Sequence, residues 1–228
     1  MQESMTETMP LRVRDCGLMP YAEVLALQME LCVSRQADAI ANTVLMVEHP
    51  AVITLGARKS ENKLLADERT LAQAGVQIVT VGRGGGTTAH NPGQLVFYPV
   101  LSLRSLGLGV NEYVRQLEGV GIELLAGLGV RCDRRKGFPG LWVGEKKIAS
   151  IGVQIKKWVT FHGMAINLNN DLGIFKYIVP CGLDGVTMTS AQAEIGRPVD
   201  MAVAKQRLAE LCIQQWEKRT QELKNVGM

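Results

Sequence analysis

The sequence contains no run of 18 or more apolar residues, so it predicts no membrane-spanning helix. Its opening stretch, MQESMTETMPLRVRD, lacks the apolar core of a signal peptide. The expectation is a cytoplasmic protein that makes no membrane contact. Cysteine is sparse. Cys16, Cys32, Cys132, Cys181 and Cys212 are odd in number and never form a CxxC pair, which argues against a disulfide framework and a structural zinc site. Three histidines, His49, His90 and His162, are too few and too poorly spaced to suggest a metal centre. Aromatics make up only 5% of the chain, so Leu, Ile, Val and Met must build most of the core. No repeat, low-complexity block or Pro/Ser-rich linker is present. The net charge of +3 does not call for nucleic acid, although it suits an acidic protein partner. With 228 residues, 46% hydrophobic and 21% charged, the chain reads as one ordinary globular domain spanning 1–228.

Periodicity predicts a helix over Tyr21–Ala39 opened by Pro20, with Leu25, Met29 and Cys32 on one face. Thr43–Glu48 and Val52–Leu55 read as strands broken at His49-Pro50. Leu64–Ala74 reads as helix and Val76–Val81 as a buried strand. Gly82–Gly93 reads as a glycine-rich loop before the strand Gln94–Val100. Asn111 is placed to cap a helix to about Leu128. Leu141–Val143 and Lys147–Ile155 form a hairpin turning at Gly144-Glu145, and Trp158–Phe161 and Met164–Leu168 add two strands. A long helix runs Asp200–Leu223 with Asp200 as cap. Interleaved strands and helices, with consecutive hairpins in the second half, predict an α/β chain of the α+β type: a mixed sheet with helices on one side.

Three stretches can carry chemistry. Gly82–Thr88 (GRGGGTT) is the densest glycine cluster, but it lacks the Gly-Lys-Ser/Thr of a Walker loop and the helix of a dinucleotide fingerprint. Its glycines let backbone lie flat against a ligand chain or another strand; a flexible loop is the plainer reading. In Lys146–Ile155 (KKIASIGVQI) alternation puts Lys147 with Ala149, Ile151, Val153 and Ile155 on an apolar face. A partly buried lysine there has a lowered pKa and can transfer protons. Periodicity alone favours the other reading, in which Lys147 reaches water from the strand's end. Cys32 and Cys212 fall among apolar helix residues, as small core hydrophobes do. Cys181 is wedged between Pro180 and Gly182, where a turn can present a thiol at a cleft or bury it. His90 and His162 each border a glycine-bearing turn, so either could contact a ligand, with a structural role the default for each. The basic clusters Arg131–Lys136 and Lys156–Lys157 read first as solvated loops.

Taken together these stretches resemble the lipoyl(octanoyl) transferases. RGGGTTAHNPGQLVFYPV, residues 83–100, is similar to that family's RGG-x-x-x-x-H-x-PGQ-x-x-x-YP segment. KIASIG at 147–152, TFHGMAIN at 160–167, IVPCG at 178–182, and Glu48-His49-Pro50 with Thr54-Leu55-Gly56 match its other segments, in order along most of the chain. The family usually has Gln, Tyr and Gly where this chain has Gly86, Ala89 and Asn91, and loss of a tyrosine at Ala89 suggests a roomier acyl pocket.

The resemblance implies a biotin/lipoyl-ligase type of fold and no cofactor. It implies transfer of an octanoyl group from octanoyl-acyl carrier protein to a lysine of an apo lipoyl domain or glycine-cleavage H protein. Cys181 would be the acyl-thioester nucleophile, and Lys147 the acid/base partner that lowers the cysteine pKa. Arg83, Gly84, Gly85, Gly86, Thr87, Thr88, Ala89, His90, Ser150, Ile151, Gly152, Gly163, Met164 and Ala165 would line the substrate. The alternative is an ATP-dependent lipoate or biotin ligase of the same fold, which needs no cysteine. A third reading is a non-catalytic acyl-binding or carrier-binding module, which would form no covalent adduct.

Overall fold

Gln94–Val100 (QLVFYPV) is apolar at nearly every position, so a strand formed there must be covered on both faces. The computed structural model describes residues 10–182 and 185–225, with backbone alone for Cys181 and residues 218–225. In it, all seven residues of this strand are buried.

The chain runs β1 (Arg12–Leu18), α1 (Tyr21–Gln36), β2 (Thr43–Glu48), β3 (Val52–Leu55), α2 (Glu68–Gln73), β4 (Gln77–Thr80), β5 (Thr88–His90), β6 (Gln94–Val100) and α3 (Val110–Gly127). It continues with β7 (Asp133–Arg135), β8 (Phe138–Val143), β9 (Lys146–Lys156), β10 (Val159–Asn167), β11 (Thr187–Met188), α4 (Ala191–Ile195) and α5 (Met201–Asn225), with 3₁₀ turns at Lys59–Glu61, Leu172–Tyr177 and Pro180–Gly182. An eight-stranded mixed sheet has the order β1-β2-β6-β10-β9-β8-β7, with β11 added parallel to β9. A second sheet, β4-β3-β5, is smaller.

Alternation along the central strands sends their residues to two cores. Val44, Met46, Leu95, Phe97, Met164 and Ile166 pack with Tyr113, Leu117 and Leu124 of α3 and with Leu208, Cys212 and Trp216 of α5. On the opposite face Leu45, Val47, Val96, Tyr98 and Ala165 pack with Val24 of α1. The expectation of helices on one side holds for α3 and α5, while α1 covers the other face. Within α1 the buried positions are Tyr21, Val24, Gln28, Cys32 and Arg35, and Met29 is exposed. The predicted Leu25/Met29 face is therefore wrong by about a quarter turn. Gln28 and Arg35 are buried through polar contacts that hydrophobic periodicity does not register: Gln28 binds the His162 backbone, and Arg35 binds Asn42 and Asp38.

Other boundaries shift for local reasons. The helix after Leu64 starts at Glu68, because Asp67 caps it by accepting a hydrogen bond from the Thr70 N–H. Gly109, not Asn111, precedes α3. Asp200 caps α5 as expected, accepting from the N–H groups of Ala202 and Val203. The two strands expected after Trp158 are one. Gly163 does not break it; a Cβ there would lie 2.2 Å from the Phe97 carbonyl oxygen, so the glycine permits close approach of β10 to β6. The edge strand β1 (RVRDCGL) is exposed at four of its seven positions and carries three charged residues, too little apolar alternation to predict it.

Candidate active site

The glycine cluster is ordered by its own arginine. Arg83 is buried, and its guanidinium donates to the carbonyls of Gly84 (3.1 Å) and Gly86 (2.9 Å) and to the Thr54 carbonyl and hydroxyl (3.0 and 2.5 Å). Gly84 N–H donates to Val153 O at 2.9 Å, so the loop lies along β9. Gly152 makes this possible: a Cβ there would sit 2.8 Å from Arg83 Cδ and 3.0 Å from Gly84 O. The flexible-loop reading is replaced by a clasped one, and part of the loop is the short strand β5.

A slot opens between this loop, the large sheet and the first turn of α1. Arg83, Gly85, Thr88 and His90 line one side, and Ser150, Ile151, Gly152, Gly163, Met164 and Ala165 the other. Ten of the fourteen residues expected at the substrate thus converge on one cavity. The other four lie elsewhere. Gly84 lines the adjoining cleft. A Cβ on Gly86 would lie 2.3 Å from Glu61 O, which leaves no room for a side chain at this position. Thr87 is buried, its hydroxyl accepting from Lys63 N–H. Ala89 alternates away from Thr88 and His90 and packs with Ile53, Leu71, Ile174, Phe175 and Ile178. The roomier pocket expected from Ala89 is corrected accordingly: its side chain faces the small core, not the slot.

Lys147 is buried, with 2% exposure, which decides against the solvent-reaching reading. The β9–β8 register passes over Ile148, pairing Leu141 with Ala149 and Trp142 with Lys147. This bulge breaks the alternation that sequence reading assumed, and Ile148 joins Ala149 in the large core. Lys147 Nζ lies 5.3 Å from the Trp142 ring centre, and its side chain lines a cleft with Arg58, Glu61, Gly84 and Phe138. That cleft shares Gly85, Ile151 and Gly152 with the slot. Lys146, by contrast, points outward to Glu194.

Cys181 stands in the 3₁₀ turn Pro180–Gly182; its side chain lies outside the described residues. Its backbone is brought to the cleft from two directions. Gly182 packs on Glu61, where an added Cβ would lie 2.8 Å from Glu61 Cβ, and Val179 N–H donates to Lys63 O at 3.1 Å. Past the turn, β11 pairs with the start of β9, Met188 opposite Lys147. The other four thiols are poorly placed for chemistry. Burial pushes all of them up, Cys132 to about 11, and Cys32 and Cys212 sit in cores as expected.

The aromatic end of the slot is formed by Tyr21, Tyr98 and His162, with His49 behind; sequence reading offered His162 as a ligand contact and missed the two tyrosines. The one signal was a tyrosine inside the otherwise apolar strand β6. His49 Nδ1–H donates to Met19 O (2.8 Å), leaving Nε2 to accept from Tyr98 Oη (2.8 Å). Tyr21 Oη lies 3.3 Å from His162 Nδ1, and His90 Nδ1 lies 2.7 Å from Gln94 Oε1. Desolvation holds His49 and His162 down to about 4 and His90 well below its ordinary value, so all three imidazoles are neutral at pH 7. Burial raises Tyr21 to about 12. Among the described residues, no group of three His, Cys, Asp or Glu side chains is placed to hold a metal ion.

The chain is similar to known proteins along most of its length. The lipoyl protein ligase A/B catalytic domain matches residues 20–212. An octanoyltransferase of Syntrophotalea carbinolica is 44% identical over 198 residues, covering 87% of this chain and 90% of the relative. A putative lipoate protein ligase of T. acidophilum with bound lipoic acid shares the fold at a TM-score of 0.67, 16% identity and 95% coverage of both chains. Biotin protein ligase of Aquifex aeolicus superposes at a TM-score of 0.51 with 13% identity, covering 94% of this chain and 72% of that one. With the family domain spanning residues 20–212 and an octanoyltransferase 44% identical over most of both chains, the chain belongs to the lipoyl protein ligase A/B catalytic domain family and, within it, to the octanoyltransferases.

Proposed function

We propose that the chain takes an octanoyl group from octanoyl-acyl carrier protein onto Cys181 and passes it to a lysine of an apo lipoyl domain or glycine-cleavage H protein, the first step of endogenous lipoate biosynthesis. The observation that carries this reading is the buried Lys147 in a cleft continuous with an apolar slot, with the Pro180–Gly182 turn packed on Glu61 of the same cleft.

In the first half-reaction the Cys181 thiolate attacks the donor thioester carbonyl, the donor C–S bond breaks, and the departing sulfur takes a proton from Lys147. Lys147 is left neutral. In the second, the acceptor amine, having given one proton to solvent, attacks the Cys181 thioester. It passes its next proton to Lys147 as the amide forms and Cys181 leaves as thiolate. Tuning the cysteine is a small part of the lysine's work. Lowering a thiol from about 8.5 to about 6.5 raises its thiolate fraction at pH 7 from about 3% to about 75%, but nucleophilicity falls about 8-fold, so the gain is about 3-fold. The acceptor lysine, ordinarily near 10.4, is where a proton acceptor matters most.

Intact mass after incubation with octanoyl-acyl carrier protein tests this. The mass should rise by one octanoyl group, the thioester should be absent in Cys181→Ser, and transfer should proceed without ATP. Wild-type transfer rates in Cys181→Ala would overturn the nucleophile assignment. Acylation of the acceptor from free octanoate only with ATP would identify a ligase instead.

A further inference from the structure

We propose that the hydrogen-bonded end wall of the slot, Tyr21, Tyr98 and His162, is the ruler that limits the acyl chain, an inference that rests on the octanoyl-transfer reading above. The slot crosses the sheet in a fixed direction. It begins at Ser150–Gly152 of β9, where it adjoins the Lys147 cleft, and passes Gly163 and Ala165 of β10. It ends against Tyr98 of β6 and Tyr21 of α1. A chain whose thioester carbon is near Lys147 therefore points its methyl end at the aromatic wall.

Between the two ends, Gly152, Gly163, Ala165 and Val96 present backbone and small apolar surface that rewards each methylene buried, opposite Arg83, Thr88 and His90. The end wall is different in kind. Tyr98 Oη is bonded to His49 at 2.8 Å, and Tyr21 Oη faces His162 Nδ1. These groups are buried, so a chain pushed further would split their hydrogen bonds without water to replace them, a larger penalty than one more methylene recovers. Nor can the wall recede. His162 is held in a left-handed conformation (φ +57°) with its N–H donating to Gln28 Oε1 at 2.7 Å, and Gln28 is buried beneath it in α1. Gln28 is thus a positioning residue, and the tyrosines and His162 set specificity.

The test compares hexanoyl-, octanoyl- and decanoyl-acyl carrier protein as donors, reading kcat/KM for acceptor acylation by mass spectrometry. In the wild type the decanoyl/octanoyl ratio should lie well below one. His162→Gly tolerates the positive φ and removes the imidazole; it should raise that ratio about 10-fold or more. Tyr98→Phe, which keeps the ring and removes the hydroxyl, should raise it several-fold. General destabilisation lowers both rates together and leaves the ratio unmoved. An unchanged ratio in Tyr98→Phe overturns the ruler, whether or not His162→Gly folds. Failure of the wild type to transfer octanoate at all overturns the reading beneath it instead, and the octanoyl arm separates the two outcomes.

Discussion

Lys147 is buried, and in the proposed reaction it also gives and takes a proton. Its stem passes Gly140, where a Cβ would lie 2.9 Å from Lys147 Cε, and its ammonium faces the Trp142 ring at 5.3 Å. An arginine keeps the charge but cannot give up its proton at any working pH. Lys147→Arg should therefore still form acyl-enzyme on Cys181, slowed a few-fold or more by the tight fit, and hand the octanoyl group on at least 100-fold more slowly. Acyl-enzyme should accumulate when donor and acceptor are both present. Lys147→Met should lose both steps. Single-turnover measurement of each half-reaction checks this, and equal losses in both for Lys147→Arg would mean that charge or geometry, not proton transfer, is the lysine's role. At this scale the sequence was informative about identity: Lys147 and Cys181 stand in matching segments. It was misleading about environment, since alternation through KKIASIG assumes a regular strand and the bulge at Ile148 removes that assumption.

β5 shows how one short element decides which substitutions matter. Thr88 and His90 face the slot, and Ala89, between them, faces Ile53, Ile174 and Phe175 with no exposure. The family resemblance sets a tyrosine at this position, which pointed to a pocket change. The placement points to packing. Ala89→Tyr should destabilise the protein by about 1–3 kcal/mol or more through overpacking, and leave the acyl-length profile as it is. Urea midpoints with and without the substitution, alongside the decanoyl/octanoyl ratio, check both halves; a stable variant with an altered ratio would return Ala89 to the slot. The element was hidden in a glycine-rich segment read as loop, because three residues give alternation too little length to show.

Across the whole molecule, all three histidines end up in one buried aromatic cluster, although they are 41 and 72 residues apart in sequence. Burial holds them neutral, His49 and His162 down to about 4, against about 6.5 when unfolded. Below pH 6.5 the unfolded chain binds protons that the folded one refuses, so stability falls as pH drops from 6.5 toward 4. The slope is about 1.4 kcal/mol per pH unit for each histidine, so these two account for roughly 4 kcal/mol at pH 5. Above pH 7 they contribute no pH dependence. Denaturant midpoints at pH 7.5 and pH 5 should differ strongly in the wild type and less in His49→Gln; matching midpoints at the two pH values would count against the buried, neutral cluster.

The sequence by itself determined the class of fold, most of the strands and helices, and the family, because these rest on local patterns: apolar periodicity, caps such as Asp200, and motif segments read in order. It also determined that Cys32 and Cys212 are core residues. Only the tertiary structure decided that Lys147 is buried, that Ala89 faces away from the slot, and that Tyr21, Tyr98 and His162 meet at its end with Gln28 and His49 behind them. Those facts depend on which strand lies beside which, β6 beside β10 beside β9, and on α1 closing over them. A buried polar residue looks exposed in sequence until its partner is known, and here the partners lie 49 to 141 residues away.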